Sequence, residues 1–348
     1  MYWYYKWPLI IILLLLGVGI CSFLWRSCVA PVFFNDTTTP DSKTELVANS
    51  DAIAPDNTQA TTSAPNDADN AATAQPYTQP TSSSPAMVAT PASPVSIGVT
   101  QLLNAADGQM LADKPLAARE LARRALASPG VVEFDQTWWR AATIINQANT
   151  IFMNSAAPCP EKQSYVIRSG DSLSRIGTQF HSSVGAIQRL NELSRTNPII
   201  HPGNSLQLLT GNWAIRVSKS QFALLLYFNN DLFRVFRVGI GRQHRTPVGT
   251  FVITSKIVHP AWTPPGKNIP YGDPENILGS HWMGLTPTGS TNQALRGYGI
   301  HGTWEPDSIG TAASAGCVRM RNEEVEELYD FIPMPLTNAP QVPVTIFE

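Results

Sequence analysis

The sequence predicts a multidomain chain that ends in a mainly β domain with one clear helix. Before that domain it places a βααβ module, an α-helical hairpin and an N-terminal transmembrane helix. Three observations predict this order. The chain starts with an apolar run of membrane-spanning length, the hydrophobic period changes from helical to alternating along its second half, and Gly and Pro crowd the C-terminal part.

Residues 1–29 contain PLIIILLLLGVGICSFL between Trp7 and Trp25, which meets the roughly 20 residues needed to cross a bilayer and carries aromatic ends. A cleaved signal peptide competes with this reading, but the apolar core is longer than the usual h-region and no small-x-small site follows closely. Lys6 and Arg26 are too evenly placed to set an orientation by charge.

Residues 30–97 are mostly Thr, Ser, Ala, Pro, Asn and Asp. From Asn35 to Ser96, Tyr77 is the only aromatic residue and Lys43 the only basic one. Such a composition buries too little apolar surface to offset conformational entropy and predicts a flexible spacer.

Across 98–157 apolar residues recur at helical spacing in LLNAADGQMLADKPLAARELARRALAS and in WWRAATIINQANTIF. Gly108, Pro115 and Ser128-Pro129-Gly130 break the pattern into a helical hairpin or three short helices. The segment resembles one tetratricopeptide-like unit, but a single unit lacks neighbours to stack on, so a packing or spacer role is favoured over partner binding.

Residues 163–210 alternate at Tyr165 and Ile167 and again at Leu206 and Leu208. Leu173, Ile176, Phe180, Ile187 and Leu190 fall at helical spacing between them, giving strand, helix, helix, strand. The Tyr165-Val166-Ile167 opening, Gly170-Asp171-Ser172-Leu173, Ile176, Phe180, Asn191 and Pro202-Gly203-x-x-Leu206 together resemble the lysin motif (LysM). Gly177, where that family often has Ala, and a long Ser194 to Ile199 loop depart from its pattern. The resemblance implies binding of N-acetylglucosamine-containing glycan through Gly170, Asp171, Ser172, Leu173 and Asn197. For Asp171 and Asn191, helix and turn capping is the competing role. The short Thr210-Gly211-Asn212 connector predicts a separate module.

Residues 213–348 open with WAIRVSKSQFALLLYFNNDLFRVFRVGIG, two alternating runs joined by the turn Asn229-Asn230-Asp231. One helix follows, expected to start with Asn322 as N-cap, with Glu323 and Glu324 in its first turn and Val325, Leu328 and Ile332 on one face.

Of four cysteines, Cys21 and Cys28 fall in or beside the apolar run, and Cys159 lies in a Ser-Ala-Ala-Pro-Cys-Pro connector. That spacing is no disulfide framework. Cys317 differs, because it sits in Ser314-Ala315-Gly316-Cys317-Val318-Arg319-Met320, downstream of Ile300-His301-Gly302-Thr303. A thiol needs a neighbouring base to become a good nucleophile, and an imidazole serves. Gly316 lets the backbone turn so that its own N–H and that of Cys317 can face an oxyanion, and Gly302 permits close approach beside His301. Arg319 places positive charge near the thiol, which favours the thiolate.

Together with Arg245-Thr246-Pro247-x-Gly249-x-Phe251, these motifs make the domain resemble the L,D-transpeptidase catalytic domain over essentially its full length. The resemblance implies Cys317 as nucleophile, His301 as general base oriented by a backbone carbonyl of Gly302 or Thr303, and Ser314 and Arg319 as residues that shape the site. Thr246, Pro247 and Gly249 are expected to hold a loop. Ala315 stands where some members carry a second His, so activation rests on His301 alone.

The implied reaction is two-step acyl transfer on peptidoglycan stem peptides that forms a 3-3 cross-link, with no cofactor. An L,D-carboxypeptidase and a non-catalytic wall-binding anchor are the alternatives, and only the anchor would have no need of the thiol, the imidazole and both glycines together. A wall substrate implies that the N-terminus lies inside and the rest in the periplasm or wall space. With 24 basic and 26 acidic residues, nothing in the charge balance points to nucleic acid. His244, His259 and His281 match no zinc spacing, so no metal is expected, and His281 is expected to line the cleft.

Overall fold

The computed structural model describes residues 97–337 and 339–348. The expected membrane anchor and the spacer up to residue 96 lie outside the described residues. No helix among the described residues is long and apolar enough to cross a membrane.

Of the two arrangements expected for the helical segment, three helices form in place of a two-helix hairpin: α1 (Ile97–Leu111), α2 (Pro115–Leu126) and α3 (Gln136–Met153). Pro115 takes the first position of α2, where a missing N–H costs nothing. Gly130, at φ 88°, and the N-cap Asp135, whose carboxylate accepts the Trp138 N–H at 2.6 Å, make the second break.

The C-terminal sheet supplies the packing neighbour that a single helical unit needs. Eight strands run in the order β11-β9-β8-β7-β12-β3-β4-β5. They comprise β3 (Trp213–Ser218), β4 (Ala223–Phe228), β5 (Asp231–Arg237), β7 (Gly249–Val258), β8 (His281–Thr288), β9 (Gly299–His301), β11 (Val318–Arg319) and β12 (Pro343–Phe347). Two short strands, β6 (Ile240–Gly241) and β10 (Ala312–Ser314), pair separately. Strand β5 is an edge, and an open edge presents unpaired backbone groups. Helix α3 closes it with side-chain amides. Asn146 donates to Val235 O at 3.0 Å and accepts the Val235 N–H at 2.9 Å, while Asn149 donates to Phe233 O at 2.7 Å. Val99, Leu103, Trp138 and Ile145 of the helices share one core with Ala223, Leu225, Leu232 and Val235 of the sheet.

Asn229 and Asn230 both have positive φ, 50° and 70°, so the β4–β5 hairpin turns where expected but on two residues, with Asp231 already in β5 and paired to Phe228.

The lysin motif adopts the expected βααβ order, with β1 (Lys162–Val166), α4 (Leu173–Phe180), α5 (Val184–Leu190) and β2 (Ser205–Leu209), and β1 antiparallel to β2. Gly177 has a local cause: a Cβ there would lie 2.6 Å from Ser182 O.

The expectation of a separate module does not hold. Ala186, Leu190 and Leu209 belong to the same core as Trp213, Phe233 and Phe331. Asp330, near the end of α6 (Asn322–Phe331), is 5% exposed and takes Arg189 Nε at 2.5 Å and Arg195 Nη1 at 2.8 Å, while the Ser183 hydroxyl donates to its carbonyl. Asp330 is buried, whereas Arg189 and Arg195 keep 20% and 40% of their side chains in water, so its removal loses charge-assisted hydrogen bonds without stranding either arginine. Asp330→Ala should therefore lower stability by about 2 kcal/mol, read as a lower urea midpoint of the whole unit. An unchanged midpoint would restore the separate module.

Helix α6 does not start as expected. Asn322 is its first residue and not its cap; Arg321 holds the cap position without a side-chain bond. The Asn322 amide oxygen instead accepts the Ser280 N–H at 3.0 Å, tying the helix to the loop beside His301. At the other end Lys256 donates to the carbonyls of Tyr329, at 2.7 Å, and Ile332, satisfying last-turn acceptors. Burial pushes the Lys256 amine down to about 7.

Candidate active site

Ladder register brings the thiol and the imidazole together. Strand β9 lies between β8 and β11, with His301 opposite Trp282 on one side and beside Arg319 on the other. Paired residues project from the same face, and so do residues two apart along a strand. Trp282, His301 and Arg319 therefore share a face, and Cys317, in the turn that leads directly into β11, lines the same cleft beside Gly299. Having no side chain, Gly299 leaves room there; a Cβ would lie 2.5 Å from the Trp282 ring. The Cys317 thiol lies 3.5 Å from Gly297 O, and the Gly299 N–H points at the sulfur.

His301 is 2% exposed. Its Nδ1 lies 2.6 Å from Gly302 O, so a proton on Nδ1 leaves Nε2 as the basic nitrogen. This is one of the two carbonyls the resemblance implies. The Trp282 ring stacks on the imidazole, with centroids 5.7 Å apart and planes at 22°. No hydrogen bond joins His301 to Cys317 in the resting arrangement of the described residues; both line one cleft of about 520 Å³ with Trp262, Leu278, Trp282 and Tyr298.

Burial sets the resting protonation states. It pushes His301 down from 6.5 to about 4, against the opposing pull of the Gly302 and Leu278 carbonyls, and the Arg319 charge lowers it further. Burial also pushes the Cys317 thiol up, against the Gly299 N–H and Arg319, which both favour the thiolate. Arg319 thus acts in the direction the sequence implies but is outweighed. Both shifts favour the neutral thiol and the neutral imidazole, the forms in which His301 Nε2 is free to accept a proton.

The turn before Cys317 is held from below. The Thr246 hydroxyl accepts the Gly241 N–H at 2.7 Å and donates to Gly316 O at 2.8 Å, so the Thr-Pro motif anchors the turn that carries Cys317. Gly316 has φ 145°, and a Cβ there would lie 2.8 Å from the Tyr298 ring. Ser314 Oγ donates to Cys317 O at 2.7 Å and accepts the Gly316 N–H at 3.1 Å. This corrects the expected pair of oxyanion donors. Because Ser314 uses the Gly316 N–H, of the two only the Cys317 N–H remains.

Arg319 is 8% exposed; its Nη1 meets Glu305 at 2.7 Å, and its Nε, also buried, has no partner among the described residues. Thr303 Oγ1 accepts the Glu305 N–H at 3.1 Å, which shapes the segment after His301 without entering the cleft. His281 does not line the cleft, contrary to expectation. It is 8% exposed and packs on Tyr329, with ring centroids 4.7 Å apart.

Two contributors escaped the sequence reading: Gly297 and Gly299. The period-2 rule applied backward from His301 would have found Gly299. The Asn322 link to Ser280 was masked by the expectation of a helix cap.

In the lysin motif the five glycan candidates divide. Gly170, at φ 84°, and Asn197 are exposed. Asp171 accepts Tyr165 O–H at 2.7 Å and Arg168 N–H at 2.8 Å, Ser172 caps α4 by accepting the Arg175 N–H at 3.2 Å, and Leu173 is in the module core. Asn191 ties α5 to β2 through Gln207, donating to its carbonyl at 2.8 Å and accepting its N–H at 2.7 Å.

Residues 212–346 match the family described as L,D-transpeptidase catalytic domain, and residues 165–208 match the LysM domain. The chain is 37% identical over 127 residues to the Bacillus subtilis (strain 168) protein YqjB, covering 36% of this chain and 69% of that one. It is 31% identical over 175 residues to YkuD of the same organism, covering 49% and 93%. Both carry the name of an L,D-transpeptidase. Among solved structures, an L,D-transpeptidase from Mycobacterium smegmatis aligns with TM-score 0.32 and 18% identity, covering 42% of this chain and 64% of that one.

Proposed function

The chain belongs to the L,D-transpeptidase family, and on that premise we propose that it forms 3-3 cross-links in peptidoglycan by cysteine acyl transfer. Its two matched domains imply peptidoglycan binding. His301 Nε2 takes the thiol proton as Cys317 Sγ attacks the carbonyl of the third residue of a tetrapeptide stem, and the Cys317 N–H faces the oxyanion. The imidazolium returns that proton to the departing amine of the terminal D-alanine, leaving a thioester. A side-chain amine of a neighbouring stem then attacks the thioester, loses its proton through His301 and regenerates the thiol. Residues 1–29 anchor the chain in the cytoplasmic membrane, 30–97 act as the spacer, and the catalytic part works in the periplasm or wall space. Gly170, Asp171, Ser172, Leu173 and Asn197 contribute glycan contacts there.

The observation that supports this reading is the single cleft that Cys317 and His301 both line, with the His301 Nδ1 held by Gly302 O. The test is mass spectrometry of a tetrapeptide muropeptide incubated with the full-length chain in detergent micelles. A cross-linked dimer lacking one D-alanine is expected. Tripeptide monomer alone would make the enzyme an L,D-carboxypeptidase, and unchanged substrate would overturn the acyl-transfer chemistry.

A further inference from the structure

We propose that Trp304, Tyr271 and His259 form a stacking platform for an N-acetylated hexose of the glycan strand, so that the catalytic domain itself reads the sugar bearing the stem peptide. The proposal rests on the peptidoglycan reading above. Trp304 is 49% exposed and is the one exposed tryptophan among the described residues. A tryptophan ordinarily buries its large apolar area, so a ring left facing water has its area available to a ligand. Tyr271, 36% exposed, lies beside it with ring centroids 5.9 Å apart, and its other neighbour, His259, stacks on it at 4.1 Å with planes at 16°. Ile257 and Val258, 46% and 48% exposed, extend the apolar surface.

This surface is continuous with the thiol cleft. Trp304 follows His301 by three residues and precedes Glu305, whose carboxylate holds Arg319 of the cleft wall at 2.7 Å. His259 is followed by Pro260, Ala261 and Trp262, which line the cleft, and its N–H donates to Ser280 O at 2.8 Å. A stem peptide seated at Cys317 would therefore carry its sugar out over this rim.

The platform is also preorganised. Asn276, 1% exposed, donates to the carbonyls of Pro260 at 2.9 Å and of Ile269 and Pro270 at 3.1 Å, fixing the loop that carries His259 and Tyr271. Rings fixed before binding lose little entropy when a ligand arrives. The chemistry suits a pyranose, which offers a face of C–H groups to a π-surface while its rim stays hydrated. The occupant is neither a second protein nor a lipid, because a sugar is the group that continues directly from the stem.

The test compares full-length chain in detergent micelles with its Trp304→Ala and Trp304→Phe variants on two donors, a sugar-free tetrapeptide and the same peptide carrying its disaccharide. For Trp304→Ala, KM for the disaccharide donor should rise about tenfold, the equivalent of about 1.4 kcal/mol. KM for the free peptide should move less than about twofold, well under that difference. Trp304→Phe should restore most of the loss. Equal rises on both donors would mean that Trp304 only supports the loop, and no rise on either would remove the platform; each overturns the proposal. A second readout does not need turnover: peptide-free disaccharide should change the tryptophan emission of the wild type, and the Trp304→Ala variant should lack that change. If the wild type turned over neither donor, the transpeptidase reading would fall while the emission change still decided the platform.

Discussion

Cys317→Ala is expected to abolish acyl-enzyme formation and to reduce turnover at least about a thousandfold, as loss of a nucleophile does when the remaining site acts alone. The loss should come from chemistry and not from folding. The thiol is only partly buried, and its sulfur contacts are the Gly297 carbonyl and the Gly299 N–H. Alanine removes the sulfur without adding bulk, and the backbone bonds holding the turn, from Thr246 to Gly316 O and from Ser314 to Cys317 O, do not use the side chain. Intact-protein mass spectrometry with donor and no acceptor should show the acyl adduct on the wild type and none on the variant, at equal melting temperature. An adduct on the variant would place the nucleophile elsewhere.

His301→Ala should slow turnover at neutral pH by about two to four orders of magnitude, the usual contribution of a positioned base. Its pH dependence separates a base from a packing residue. In the wild type the reactive form needs neutral imidazole, and burial brings His301 down to about 4, so kcat/KM should hold on the acid side until the pH nears 4 and not decline from 6.5. In the variant, thiolate must form without help, and burial holds the thiol above its ordinary 9.0. The variant should gain rate steeply as pH rises into that range. A flat variant profile would remove the assigned role, and a wild-type acid limb near 6.5 would remove the downward shift by burial. Stability has a related sign. The unfolded chain binds a proton at its histidine near 6.5 while the folded one resists until about 4, so His301 makes the fold lose stability as pH falls through that interval.

The sequence by itself determined the order of the described elements and the family, and it singled out Cys317 and His301 as the candidate pair. Hydrophobic period separates helices from strands locally, and the Asn229-Asn230 turn is written in its own residues. The Gly-Cys and His-Gly-Thr runs carry their chemistry in residue type. Tertiary structure alone decided where the segments touch. Asn146 and Asn149 read as ordinary helix surface until an open strand edge stands opposite them. Asp330 reads as one more acid of α6 until Arg189 and Arg195 arrive from the lysin motif, 141 and 135 residues away in sequence. Asn322 reads as a cap until Ser280 competes for its amide oxygen. The protonation of His301 and Cys317 was likewise hidden, because it depends on how much water the assembled strands exclude. Local pattern is fixed by interactions within a few residues, whereas desolvation and long-range pairing depend on which surfaces the whole chain brings together.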